Sequence, residues 1–150
     1  MKLYDWLRAT LRGEPTKTLP GGQAFHGLRV SDALKAHEEW LRRFKAALAQ
    51  DQDGIDPEAV AHNDRCTLGQ WIAAQRAGHA SLAQSSAFEQ LDTMHTTFHR
   101  TASLLAHAIQ NRERAEARVL LDLMQSKSRM IQLSLAQLLI EAEESTIRRF

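Results

Sequence analysis

The residues best suited to chemistry in this 150-residue chain are three of its histidines and its single cysteine. His95 and His99 are four apart in a strongly helical stretch, so their imidazoles leave one helix face about 40° apart. Zinc prefers tetrahedral coordination and accepts neutral imidazole and thiolate together. Together, His37, Cys66, His95 and His99 fit a zinc site of three imidazoles and one thiolate.

A site closed by four protein ligands is typical of structural or sensory zinc, because hydrolytic zinc keeps one position open for water. The chain has seven histidines, and the four outside this set precede the first core helix, neighbour polar or flexible residues, or lie near a helix end. We interpret them as surface histidines: His26, His62, His79 and His107.

The composition of the chain limits the kind of protein that could carry this site. The chain is 43% apolar and 25% charged, which is enough for one compact domain with a core. A formal net charge of +1 favours neither nucleic acid nor an anionic membrane as a partner. No run approaches the roughly 20 apolar residues that span a bilayer, and no secretory signal is evident, so we predict a cytoplasmic protein.

The N-terminal region, residues 1–27, is predicted to be an arm and linker, followed by one helical domain over residues 28–150. An apolar stripe at helical spacing predicts a short amphipathic helix, which glycines and prolines from Gly13 to Gly22 then interrupt. Docking of this arm on its own domain or on a partner is favoured over binding to a membrane surface. The stripe consists of Leu3, Trp6, Leu7 and Leu11.

Two elements are predicted to position His37 and Cys66. Ser31 is suited to cap a helix that carries His37 and ends before residues 51–54. Asn63 or Asp64 is suited to cap a short helix to about residue 75 and would place Cys66 in its first turn. There the positive end of the helix dipole would favour a thiolate.

Two longer segments complete the predicted fold. Residues 85–110 form a helix that carries His95 and His99 on its inner side, and residues 112–149 contain neither proline nor glycine and form one long helix or two collinear ones. No run alternates with period two. The prediction is an all-α, antiparallel four-helix bundle in which one short helix carries the cysteine ligand.

Four further residues are predicted to support the site. Gly69, one turn beyond Cys66, would let another backbone or an imidazole approach the short helix closely. Trp40 and Trp71 are interpreted as core packing that shields the site from water. Asp64 either caps the short helix or accepts a hydrogen bond from a ligating imidazole, with capping favoured.

Residues 66–71 read Cys-Thr-Leu-Gly-Gln-Trp, and they carry a resemblance to a known family. With His37 upstream and the pair His95 and His99 downstream, the chain resembles the chemoreceptor zinc-binding (CZB) domains of bacterial chemoreceptors and diguanylate cyclases. The family motif is cysteine, any residue, leucine or phenylalanine, glycine, any residue and tryptophan, and each fixed position is matched. The resemblance covers roughly residues 28–110 by motif and the final helix by general pattern.

The resemblance implies a helical bundle, one zinc per chain on those four ligands, frequent homodimerisation and control of a signalling output. For some members it also implies that hypochlorous acid oxidises the zinc-bound cysteine, here Cys66, and changes the conformation of the domain. We find no attached signalling or cyclase domain in the sequence. The expected output is therefore a separate chemoreceptor or diguanylate cyclase type of partner, or zinc binding alone.

Two other classes of function remain open from the sequence. An enzyme could use Cys66 with a histidine as a nucleophile, or three histidines with an open position, but no matching acid or oxyanion loop accompanies them. A di-iron bundle would need a carboxylate three or four residues from its histidines, but Ser103 follows His99 by four residues and Asn111 follows His107 by four.

A plain interaction module is the other class. It could pair through an apolar stripe on the final helix, although closure of the bundle is the favoured role of that stripe. The stripe consists of Leu120, Met124, Ile131, Leu135 and Leu138.

Overall fold

Five α-helices dominate the computed structural model, which describes residues 9, 12, 24–50 and 54–148. The predicted amphipathic stripe lies outside the described residues. The prediction of a mostly helical bundle is confirmed. None of the described helices combines the length and the apolar character that crossing a membrane requires. The helices are α1 (Val30–Gln50), α2 (Pro57–Ala61), α3 (Thr67–Ala77), α4 (Ser86–Gln110) and α5 (Arg114–Arg148).

The two longest helices, α4 and α5, form the centre of the fold. Residues 111–113 connect the two helices, which pack against one another as an antiparallel hairpin. Leu105 on α4 and Met124 on α5 are fully buried. Helix α1 packs against both, and α2 packs against α4. Helix α5 is one continuous helix, which decides between the two predicted alternatives.

The apolar stripe of α5 closes this bundle within a single chain. Ile131 is 0% exposed and Leu135 is 1% exposed, while Leu120 is partly buried against the same core. The favoured interpretation of the stripe as bundle closure agrees with this burial, because side chains already packed inside the chain do not form an intermolecular seam.

A short β-hairpin precedes α1 and corrects the prediction that the chain has no strand. Its strands, β1 (Ala24–Phe25) and β2 (Leu28–Arg29), pair antiparallel across the two-residue turn His26–Gly27. Both turn residues have positive φ, 46° and 85°, as a type I′ turn requires. Strands of two residues are too short to show period-two alternation, so the sequence pattern could not reveal them.

The helix starts follow local capping chemistry. The Asp56 carboxylate accepts from the Glu58 N–H at 3.0 Å with Pro57 in the first turn, and the Ser85 hydroxyl accepts from the Phe88 N–H at 3.1 Å. The prediction that Ser31 caps α1 is wrong, since α1 begins at Val30 and Ser31 lies in its first turn. The hairpin leads directly into the helix, so the helix begins at Val30, two residues before the start that a Ser31 cap implies.

Candidate metal centre

Three elements of the fold bring the four predicted ligands together. His37 lies on α1, His95 and His99 lie on α4, and Cys66 lies at the N-terminus of α3. One possible ligand atom from each residue lies within 4.8 Å of the others. The three histidines are buried and Cys66 is half-buried.

The distances within this cluster suit tetrahedral zinc. The Cys66 Sγ lies 3.6 Å from the His37 Nε2, and the Nε2 atoms of His95 and His99 lie 3.2 Å apart. Zinc–nitrogen bonds of about 2.0–2.1 Å and a zinc–sulfur bond of about 2.3 Å at tetrahedral angles place nitrogens about 3.3 Å apart and sulfur about 3.6 Å from nitrogen. These two separations already match tetrahedral zinc, and all four ligand atoms lie within 4.8 Å of one another.

Backbone carbonyls set the tautomer of two of the imidazoles. The His37 Nδ1 lies 2.8 Å from the Ala33 carbonyl oxygen, and the His99 Nδ1 lies 2.8 Å from the Val60 carbonyl oxygen. A carbonyl only accepts, so each Nδ1 carries the proton and donates it. The Nε2 lone pair of each ring is then free to bind a metal, which is the arrangement usual around ligating histidines.

His95 differs from the other two histidines. Its Nε2 faces the unprotonated Nε2 of His99, whereas its Nδ1 is buried and has no hydrogen-bond partner among the described residues. These two nitrogens lie 3.2 Å apart, so a cation placed between them would bind the lone pair of each once the His95 proton is on Nδ1. This pairing is a second indication that the cluster fits zinc.

Burial keeps the three imidazoles in the neutral form that metals bind. The pKa of His37 is lowered to about 4, mainly by desolvation. The hydrogen bond to the Ala33 carbonyl raises this pKa, and the charge of His99 lowers it further. Desolvation, with the charges of His99 and His37, lowers the pKa of His95 to about 2. Burial also lowers the pKa of His99. Near neutral pH no proton has to leave these rings before a metal binds.

The lowered histidine pKa values predict a pH dependence for the stability of the metal-free protein. An unfolded histidine has a pKa of about 6.5, so the unfolded state binds more protons than the folded state below that pH. The free energy of unfolding should be level above pH 6.5 and fall toward pH 4, by up to about 1.4 kcal/mol per pH unit for each histidine. Urea unfolding of chelator-treated protein from pH 7.5 to 5 measures this slope, and a level curve would contradict the buried neutral rings.

Gly69 marks a close approach between the start of α3 and the preceding turn. A Cβ added at Gly69 would lie 1.8 Å from the Asn63 carbonyl oxygen and 3.1 Å from the His95 Cε1. A separation of 1.8 Å is far below van der Waals contact, so only glycine fits at this position without a shift of backbone. The missing side chain admits both a backbone and a ligating imidazole, the two kinds of neighbour that the sequence predicted for Gly69.

The prediction for Asp64 is wrong in both of its forms. Cys66 itself is the N-cap residue of α3, because residues 63–65 form a separate 3₁₀ turn, and no side-chain bond caps the helix. The exposed Asp64 carboxylate lies 3.7 Å from the Nδ1 of His62. The imidazoles of His37 and His99 donate to backbone carbonyls instead.

The two predicted tryptophans occupy different surroundings. Trp71 is 7% exposed, packs near Phe88, and donates its indole N–H to the His26 carbonyl oxygen at 2.9 Å. It therefore joins α3 to the hairpin and to the start of α4 as core packing. Trp40 is half-buried, with the Arg43 guanidinium 4.4 Å from its ring centre. A shielding role for either ring stays a prediction.

The remaining histidines lie outside the cluster. His26, His79 and His107 are exposed and His62 is half-buried. The Thr96 hydroxyl accepts from the Asn63 amide, a contact that the sequence did not predict. Neither residue is a metal ligand type, so no signal in their identities pointed to this contact.

Comparison with known families agrees with this geometry. The sequence model of the chemoreceptor zinc-binding domain matches residues 37–106, a span that opens on His37 and includes the other three candidate ligands. Residues 37–106 are a CZB domain. Comparisons with curated proteins and with solved structures found no match. The CZB span reaches from within α1 into the last turns of α4, and the resemblance predicted from the motif is confirmed.

The CZB assignment narrows the classes of function left open by the sequence. CZB domains are sensory zinc-binding domains and not a catalytic family, so the family gives no support to a thiol enzyme or a metal hydrolase. The chain therefore has a CZB domain with a cluster of three histidines and one cysteine suited to zinc.

Proposed function

We propose that this protein is a zinc-binding sensory protein that responds to zinc availability or to oxidation of Cys66, and that signals through a partner. The observation that carries the proposal is the agreement of the 3.2 Å and 3.6 Å separations in the cluster with tetrahedral zinc. Bound zinc would supply a cross-link between three helices. The CZB match supports a sensory role over a purely structural one.

The four ligands come from elements of unequal rigidity. The three histidines lie in the interiors of α1 and α4, both longer than 20 residues, whereas Cys66 precedes the 11-residue α3. Loss of the sulfur ligand would therefore remove the zinc tether from the start of the short helix and leave the two long helices packed. A change at one atom would shift α3 against α1 and α4, and a partner could recognise that shift.

Cys66 is the oxidisable ligand of the cluster. It stands at the N-terminus of α3, where unpaired N–H groups and the helix dipole stabilise negative charge. The residue is half-buried, unlike the three buried histidines. Hypochlorous acid takes two electrons from the sulfur and releases chloride, and the sulfenic acid that forms after water addition is a poorer zinc ligand.

The proposed partners are a second copy of the chain and a separate chemoreceptor or diguanylate cyclase type of protein in the cytoplasm. Large apolar side chains on the described surface support association: Leu104 is 52% exposed, Val119 59% and Leu123 45%. All three lie near the connection between α4 and α5. The same side chains favour the second candidate function, a helical interaction module that acts without metal.

Treatment with hypochlorous acid tests the oxidative part of the proposal. One equivalent added to zinc-loaded protein should release zinc to a chromogenic chelator, because the oxidised sulfur no longer binds the ion. The Cys66→Ser variant, loaded at high zinc, should release none beyond its untreated rate. Zinc retained by a parent protein whose Cys66 is oxidised, as shown by mass spectrometry, would contradict the oxidative part and leave zinc availability as the signal.

A further inference from the structure

We infer that Asn63 is a positioning residue for Cys66, because its side chain ties the turn before the cysteine to α4 and thereby sets the sulfur against His95 and His99. This inference rests on the proposed zinc centre. It identifies which residue outside the ligand set holds the thiolate in place.

The side chain of Asn63 makes the long-range contact. Its Nδ2 donates to the Thr96 Oγ1 at 3.1 Å, in a partly buried position. Thr96 lies on α4 directly after His95 and three residues before His99. One hydrogen bond therefore joins the turn that leads to the cysteine with the helix segment that carries two of the histidine ligands.

The backbone of Asn63 makes the local contact. Its carbonyl oxygen accepts from the Cys66 N–H at 3.3 Å. The same oxygen lies 1.8 Å from the position of a Cβ on Gly69, so it packs directly against the first turn of α3. Asn63 thus contacts α4 through its side chain and both Cys66 and α3 through its carbonyl group.

Cys66 depends on such a contact more than His37 and His99 do. Backbone carbonyls orient His37 and His99, whereas no side-chain hydrogen bond caps α3 at Cys66. The far end of α3 is held separately, since the Arg76 guanidinium pairs with Glu89 at 2.8 Å and with Asp92 at 2.7 Å. The near end of the helix therefore relies on Asn63.

Cobalt(II) is a suitable probe, since its sulfur-to-cobalt absorption reports Cys66 and its visible d–d absorption reports a tetrahedral centre. Thr96→Val removes the acceptor oxygen and keeps the shape of the side chain. Thr97→Val is the matched control, because the Thr97 hydroxyl bonds only within its helix in the described structure, to the Thr93 carbonyl at 2.8 Å. Thr96→Ser keeps the oxygen and should rescue binding.

We expect Thr96→Val and Asn63→Ala each to bind cobalt about tenfold or more weakly, with reduced sulfur-to-cobalt absorption per bound ion. The double variant should be no worse than either single variant, because both remove the same hydrogen bond. Thr97→Val and Thr96→Ser should match the parent protein. If Asn63→Ala does not fold, the three threonine variants still decide the matter.

Parent-like affinity and absorption in Thr96→Val would overturn the inference. An equal loss in Thr97→Val would also overturn it, because the effect would then belong to α4 in general. A parent protein without sulfur-to-cobalt absorption would overturn the metal centre itself, and with it this inference. Failure of the metal centre can be told apart from failure of the Asn63 inference, because it appears in the parent protein before any variant is compared.

Discussion

Zinc at about 1,000 times its dissociation constant should raise the free energy of unfolding of the parent protein by about 4 kcal/mol. The increase arises because the folded chain holds four preoriented ligands and the unfolded chain does not. Urea unfolding with and without zinc measures it. His99→Ala should abolish the increment, since it removes a ligand from the centre of the cluster and leaves the nitrogen of His95 without its neighbour.

His107→Ala is the matched control for this experiment. His107 lies on the same helix two turns after His99 and is exposed, so its removal should leave the zinc increment unchanged. The compared quantity is the difference between zinc-bound and zinc-free stability, because His99→Ala also removes buried packing and the bond to Val60. A full zinc increment in His99→Ala would remove that residue from the site.

Gly69→Ala should destabilise the protein by roughly 3 kcal/mol or more, against the usual gain of about 1 kcal/mol when alanine replaces glycine inside a helix. The new Cβ would lie 1.8 Å from a backbone oxygen, which has no flexible side chain to move aside. Either α3 or the turn at Asn63 must shift. Thermal and urea unfolding of metal-free protein measure the loss.

Gly54→Ala provides the comparison for Gly69→Ala. Nothing lies within 4 Å of a Cβ added at Gly54, so its stability should stay within about 1 kcal/mol of the parent. Gly69→Ala should also weaken zinc binding, because the added carbon would press on Asn63 and approach the His95 ring at 3.1 Å. Parent-like stability of Gly69→Ala would mean that α3 does not pack against the turn as described.

Helical periodicity and ligand chemistry made much of this fold and site predictable. The apolar patterns of α1, α4 and α5 extend over 20 residues or more, so they identify helices without tertiary information. Histidine and cysteine are rare and chemically distinct, so their spacing with the Cys-Thr-Leu-Gly-Gln-Trp motif indicated the cluster that the fold brings together. Gly69 stood out because a glycine within a helix needs a reason.

The supporting contacts of the site were less predictable. The carbonyl oxygens of Ala33 and Val60 orient two ligands, but every residue has a carbonyl, so their sequence identity carries no signal. The Asn63–Thr96 bond joins residues 33 apart whose types are common on protein surfaces. Asp64 was predicted to have a role because an aspartate often caps a helix, yet Cys66 takes that position itself.

X-ray absorption at the zinc edge of the purified, zinc-loaded protein tests the central claim most directly. We expect one sulfur neighbour at about 2.3 Å and three nitrogen neighbours at about 2.0–2.1 Å. Zinc surrounded only by nitrogen and oxygen, or a protein that retains no zinc after loading, would contradict a centre built from three imidazoles and the Cys66 thiolate.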